Sequence, residues 1–139
     1  MKKSDLYLIY GNFFQPSERF CAAMGFPGAD ILGIRDFHGI ISCNSEVWTG
    51  QMKDRWGDSD LRDIELSPDV KFNFTKQYRG RGDVIEYKFK WDVKNECWDG
   101  TWEMKEEGRT RDRGLAKTCL IPVTPAFFAY AGVTEVVEG

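Results

Sequence analysis

Between residues 70 and 123 apolar and polar side chains alternate with a period of two, broken by turn residues. The clearest stretch is 84–93. Ile85, Tyr87, Phe89, Trp91 and Val93 fall on one side, and Glu86, Lys88, Lys90 and Asp92 on the other. Strand side chains point alternately to opposite faces, so this pattern predicts a strand with one face in a core and one in water. Residues 70–75 alternate in the same way. Gly80 and Gly82 mark a turn after them, and Lys94-Asn95-Glu96 marks the next. Residues 97–105 then run back with Trp98, Gly100, Trp102 and Met104 on one face. A charged turn over 106–114 leads into a last clear strand at 115–123. The expected class is mainly β: an antiparallel up-and-down meander closing into a small barrel, with one or two short helices.

The first half is less regular. Residues 6–10 have strand composition, yet Leu6, Tyr10, Phe13 and Phe14 also fit a helical stripe. Residues 17–24 predict a short helix, with Pro16 at its entry and Gly25 at its exit. Residues 30–34 and 39–43 read as a strand pair or one bent strand, and 46–52 as another. The polar run 53–69 reads as a loop carrying one short segment near 61–66. Near the end, Thr124, Pro125 and Gly132 punctuate a second short helix, and 133–137 reads as a closing strand.

The chain has 139 residues, which suits one domain spanning 1–139. Hydrophobic residues make up 42% and charged residues 29%, which separates it from disordered chains. The net charge of −3 argues against nucleic-acid binding, which needs concentrated positive charge. No run approaches the roughly 20 apolar residues of a helical membrane span. The basic start followed by 6–10 is too short and too interrupted for a signal peptide, so a cytoplasmic location is expected. Cys21, Cys43, Cys97 and Cys119 contain no C-x-x-C pair, so four free thiols are expected. If the strands holding Cys97 and Cys119 form a hairpin, those two come nearly opposite.

Few residues suggest chemistry. His38 is the single histidine, and on a strand it shares a face with Asp36, the pairing of an acid-oriented base. One histidine cannot supply a multi-histidine metal site. Asp54, Asp58, Asp60, Asp63 and Glu65 cluster, but their spacing departs from that of a calcium loop. Arg81-Gly82-Asp83 spells an adhesion tripeptide that reads as turn chemistry. No catalytic residue, metal site or cofactor is assigned, and a barrel enzyme using Asp36 and His38, or buried acids the sequence does not identify, stands as a third reading behind the two binding readings below.

Aromatic residues reach 14%, with ten Phe and five Trp. Phe72, Tyr87, Phe89, Trp91, Trp98 and Trp102 occupy inward positions of neighbouring strands, with Gly100 between two tryptophans. Such a set is either an aromatic wall around a ligand or a packed core. With the Trp98-Asp99-Gly100-Thr101-Trp102 run, the meander over residues 30–123 resembles the calycin-type barrels: lipocalins, fatty-acid-binding proteins and avidins. That resemblance implies non-catalytic binding of a small apolar or aromatic ligand inside the barrel, lined by Phe72, Tyr87, Phe89, Trp91, Trp98, Gly100 and Trp102. The rival expectation is a protein-interaction module with a solid core, binding a partner through charged loops 79–83 and 106–113.

Overall fold

The structure, a computed structural model, describes residues 1, 3–14, 35–82 and 84–123. Eight strands follow one another: β1 (Leu6–Phe14), β2 (Arg35–Asn44), β3 (Val47–Asp54), β4 (Gly57–Ser67), β5 (Lys71–Tyr78), β6 (Val84–Asp92), β7 (Cys97–Glu106) and β8 (Arg109–Pro122). Each pairs antiparallel with the next, and β8 returns to β1, so the sheet closes as a barrel in chain order. Closure gives each described strand a neighbour on both sides, which blunts the main route to edge-to-edge aggregation.

The turns follow from backbone chemistry. Ser45 and Glu46 join β2 to β3 in two residues, both with positive φ (50° and 67°). Glu107 and Gly108 join β7 to β8 in the same way (51° and 77°). Two consecutive positive φ values match the right-handed twist of the flanking strands.

Several expectations need correction. The run 53–69, expected as a loop, contains β4. Its inward positions are Ser59 and Leu61, both buried, while Asp58, Asp60 and Arg62 point outward. A bulge between Arg62 and Glu65, with Asp63 at φ 52°, then breaks the alternation. The charged loop expected over 106–113 shrinks to residues 107–108, because 109–113 belong to β8 and pair with β7. Residues 6–10 resolve as strand. Val93 lies beyond the end of β6 and is 78% exposed. No helix occurs among the described residues, and the helices expected at 17–24 and 125–131 lie outside them, as do the strands expected at 30–34 and 133–137.

Along β6 the facing agrees with the alternation: Ile85, Tyr87 and Phe89 are buried, and Lys88 and Lys90 exposed. Trp91 and Glu86 are half-buried. We call the end carrying the β3–β4, β5–β6 and β7–β8 turns the upper end. The lower half is filled by rings. Phe72 lies 5.2 Å from Phe74, 5.7 Å from Phe89 and 5.8 Å from Trp98 between ring centroids, and Phe74 stacks on Tyr87 at 4.8 Å. Burying such side chains contributes roughly 1.5–3 kcal/mol each.

Candidate ligand-binding site

On β5 the inward positions are Phe72, Phe74, Lys76 and Tyr78, so strict alternation carries a lysine into the barrel. Lys76 is the only buried lysine among the described residues. The other buried polar residues there, Ser59 and Thr118, resolve their burial locally. Ser59 Oγ donates to the Met52 carbonyl (3.2 Å), and Thr118 Oγ1 to the Tyr10 carbonyl (2.9 Å). An ammonium has three donors and a full charge, so it needs a counter-ion.

Asp54, the last residue of β3, supplies it. The side chains of Lys76 and Asp54 are both fully buried, and Lys76 Nζ donates to Asp54 Oδ2. Tyr78 donates its hydroxyl to the same oxygen at 2.5 Å. The other oxygen, Oδ1, accepts the Trp56 backbone N–H at 2.8 Å across the β3–β4 turn. Both oxygens of the carboxylate are thus occupied, which offsets part of the cost of its burial.

Three rings surround the ammonium. Lys76 Nζ lies 4.7 Å from the Tyr78 ring centroid, 5.1 Å from Phe13 and 5.7 Å from Tyr87, within cation–π range. Burial pushes the Lys76 ammonium below its ordinary pKa, with Asp54 opposing the shift. Burial also pushes the Tyr78 and Tyr87 hydroxyls well above theirs, reinforced by the Asp54 charge.

The upper rim is aromatic and basic. Trp56, 44% exposed, packs on Phe13 at 5.6 Å, and Arg35 lies 5.8 Å from the Trp56 ring. The Arg81 guanidinium lies 5.1 Å from the Tyr78 ring centroid and donates to the Trp56 carbonyl at 3.0 Å. Below, Trp102 meets Phe13 edge-on at 6.3 Å, its Nε1 donating to the Phe14 carbonyl at 3.2 Å.

The aromatic set anticipated from alternation divides along the barrel axis. Tyr87 and Trp102 border the charged cluster, while Phe72, Phe89 and Trp98 form the layer beneath it. Trp98 is fully buried, and its indole nitrogen has no hydrogen-bond partner. Trp91 sits at the lower end, edge-on to Trp98 at 5.1 Å. Gly100 leaves no gap in this layer. A Cβ there would overlap the Lys88 carbonyl oxygen and lie 2.8 Å from Phe89 Cα, so the residue permits close approach of β7 to β6.

The other candidates lie outside the barrel. Asp36 and His38 share a face as expected, and that face is the exposed one. Of the acidic run, Asp54 alone turns inward. Asp60 pairs with Arg79 at 3.0 Å and Glu65 with Lys71 at 2.9 Å. No group of three or more His, Cys, Asp or Glu among the described residues could hold a metal ion. Cys43, Cys97 and Cys119 are free thiols, and Cys21 lies outside the described residues, as does Asp83. A surface depression of about 440 Å³ at the lower end touches Lys3, Tyr7, Trp48, Leu66 and Pro68, without a buried charge.

Sequence reasoning missed Lys76, Asp54 and Tyr78. The signal was present: continuing the 72/74 alternation by two further steps places Lys76 and Tyr78 inward. No described helix is long and apolar enough to cross a membrane. No family model, curated protein or solved structure matches the chain.

Proposed function

We propose that the chain is a non-catalytic binding protein for a small aromatic or apolar ligand carrying one polar group, held in the upper half of the barrel. The observation that carries this is the Asp54–Lys76–Tyr78 cluster, two buried charges at one end of an interior built mainly of aromatic and aliphatic side chains. Desolvating each ion costs several kcal/mol, and well-packed apolar residues in their place are often as stable or more so. Folding alone therefore does not call for the pair. A polar anchor beneath an aromatic rim is the usual construction of a small-molecule site. In this reading Phe13, Tyr87 and Trp102 flank the ligand body, Phe72, Phe89 and Trp98 form the floor, and Lys76 and Tyr78 meet its polar group. The calycin likeness belongs to the same reading, supported by eight antiparallel strands closing in chain order. Free thiols at Cys43, Cys97 and Cys119 support a reducing, cytoplasmic setting.

The test is titration of the intact protein with a fluorescent naphthalene dye and a fluorescent fatty acid. Saturable binding is expected, weakened about tenfold or more in a folded Asp54→Asn/Lys76→Met variant, the equivalent of roughly 1.4 kcal/mol. Absence of binding by the parent protein would overturn the proposal. One observation favours the rival interaction module: the lower half of the barrel is filled by its own rings. That module would act through the turn at 79–82.

A further inference from the structure

We infer that the polar group recognised at this site is an aldehyde or ketone, and that Lys76 binds it covalently as an imine with Asp54 as counter-ion. The inference rests on the binding reading above and adds the chemical class of the ligand. Three features lead to it.

Lys76 is a primary amine held in an aromatic interior, the environment in which lysine becomes a nucleophile. Burial lowers its ammonium pKa and so raises the fraction of free amine. The remaining described lysines are at most half-buried, and Lys53, Lys71, Lys88, Lys90 and Lys117 are exposed.

Asp54 stands in direct hydrogen bond to the nucleophilic nitrogen, where it can take a proton and later face the iminium charge. Tyr78 donates to the same carboxylate oxygen and is a neutral phenol, since burial and Asp54 both oppose its ionisation. Finally, the rings of Phe13, Tyr78 and Tyr87 that now surround the ammonium would face an iminium in the same place.

The step balances without a further reagent. Asp54 takes one proton from the Lys76 ammonium, and the free amine attacks the carbonyl carbon, forming the C–N bond. Proton transfer gives the neutral carbinolamine. Its C–O bond then breaks and the oxygen leaves as water, having received two of the three ammonium protons in all. The product is a protonated imine paired with the Asp54 carboxylate. Overall, ammonium plus carbonyl gives iminium plus water, at constant charge.

The experiment incubates the full chain with 2-naphthaldehyde and cyanoborohydride, then maps the reduced adducts by peptide mass spectrometry. Lys76 is expected to carry the predominant early adduct, ahead of every exposed lysine, because its lowered pKa leaves more free amine near neutral pH and Asp54 stands at its nitrogen to take the proton. A Lys76→Arg variant keeps the cation and should lose that fast adduct alone. Binding of a naphthalene dye without a carbonyl is measured in parallel. Adducts confined to exposed lysines, with the dye still bound, would overturn the imine and leave the binding reading standing. Absence of both the dye complex and the Lys76 adduct would overturn both.

Discussion

Replacing Lys76 by methionine tests whether the buried pair carries the energetics its geometry implies. Methionine keeps the length and removes the charge. Asp54 would retain the Tyr78 hydroxyl and the Trp56 N–H but lose its counter-ion, with its side chain still fully buried. Removing one partner of a buried ion pair costs about 3–5 kcal/mol, mostly the penalty of the charge left behind. The second change, Asp54→Asn, removes that charge. The double variant should therefore recover to within about 1–2 kcal/mol of the parent, although each single change destabilises. Urea unfolding reads this directly. With a slope of about 2 kcal/mol per molar, Lys76→Met alone should lower the midpoint by roughly 1.5–2.5 M. A Lys76→Met protein within about 1 kcal/mol of the parent would refute the reasoning, as would a double variant as unstable as the sum of the singles.

Two further outcomes follow from the same interior. Gly100→Ala should cost about 1–3 kcal/mol in a thermal or urea melt, because its Cβ meets the β6 backbone, which cannot yield as a flexible side chain would. Gly82→Ala, with nothing within 4 Å, should stay within about 0.5 kcal/mol, and equal effects at the two glycines would contradict the close-approach argument. Stability should also pass through a maximum at alkaline pH. The lowered Lys76 pKa means the unfolded chain binds the extra proton, so stability rises with pH up to the unfolded lysine value near 10.4. The raised Tyr78 and Tyr87 values act oppositely, and their contribution is lost above the unfolded tyrosine value near 10, by up to about 1.4 kcal/mol per pH unit each. Urea midpoints from pH 8 to about 11, with phenolate absorbance, check this. Ionisation of both tyrosines near pH 10 in the folded protein would count against it.

How much was legible in the sequence depends on whether a property is local. Period-two alternation is local, because each strand residue faces the opposite side from its neighbour whatever the strand pairs with. It assigned β6 and β7 and put Phe72, Tyr87, Phe89, Trp98 and Trp102 on the inner face. It failed for β4, where small Ser59 occupies an inner position and a bulge at Asp63 shifts the phase. Continued past residue 74, the same local rule would have placed Lys76 inward, but a lysine there conflicts with the hydrophobic expectation until its partner is known.

That partner only the tertiary structure could decide. Asp54 is one of five acids within a short acidic run, and nothing in the run separates it from Asp58 or Asp60. The meeting of Asp54 with Lys76 depends on the registers β3–β4 and β4–β5 acting together, with Leu61 opposite both Gly50 and Lys76. Gly100 is a similar case. In sequence it is a missing side chain between two tryptophans, whereas in the barrel it is the point where β7 closes on β6. Facing is set residue by residue along one strand. Spacing, register and the pairing of buried charges are set between strands, by a closure that joins β8 to β1.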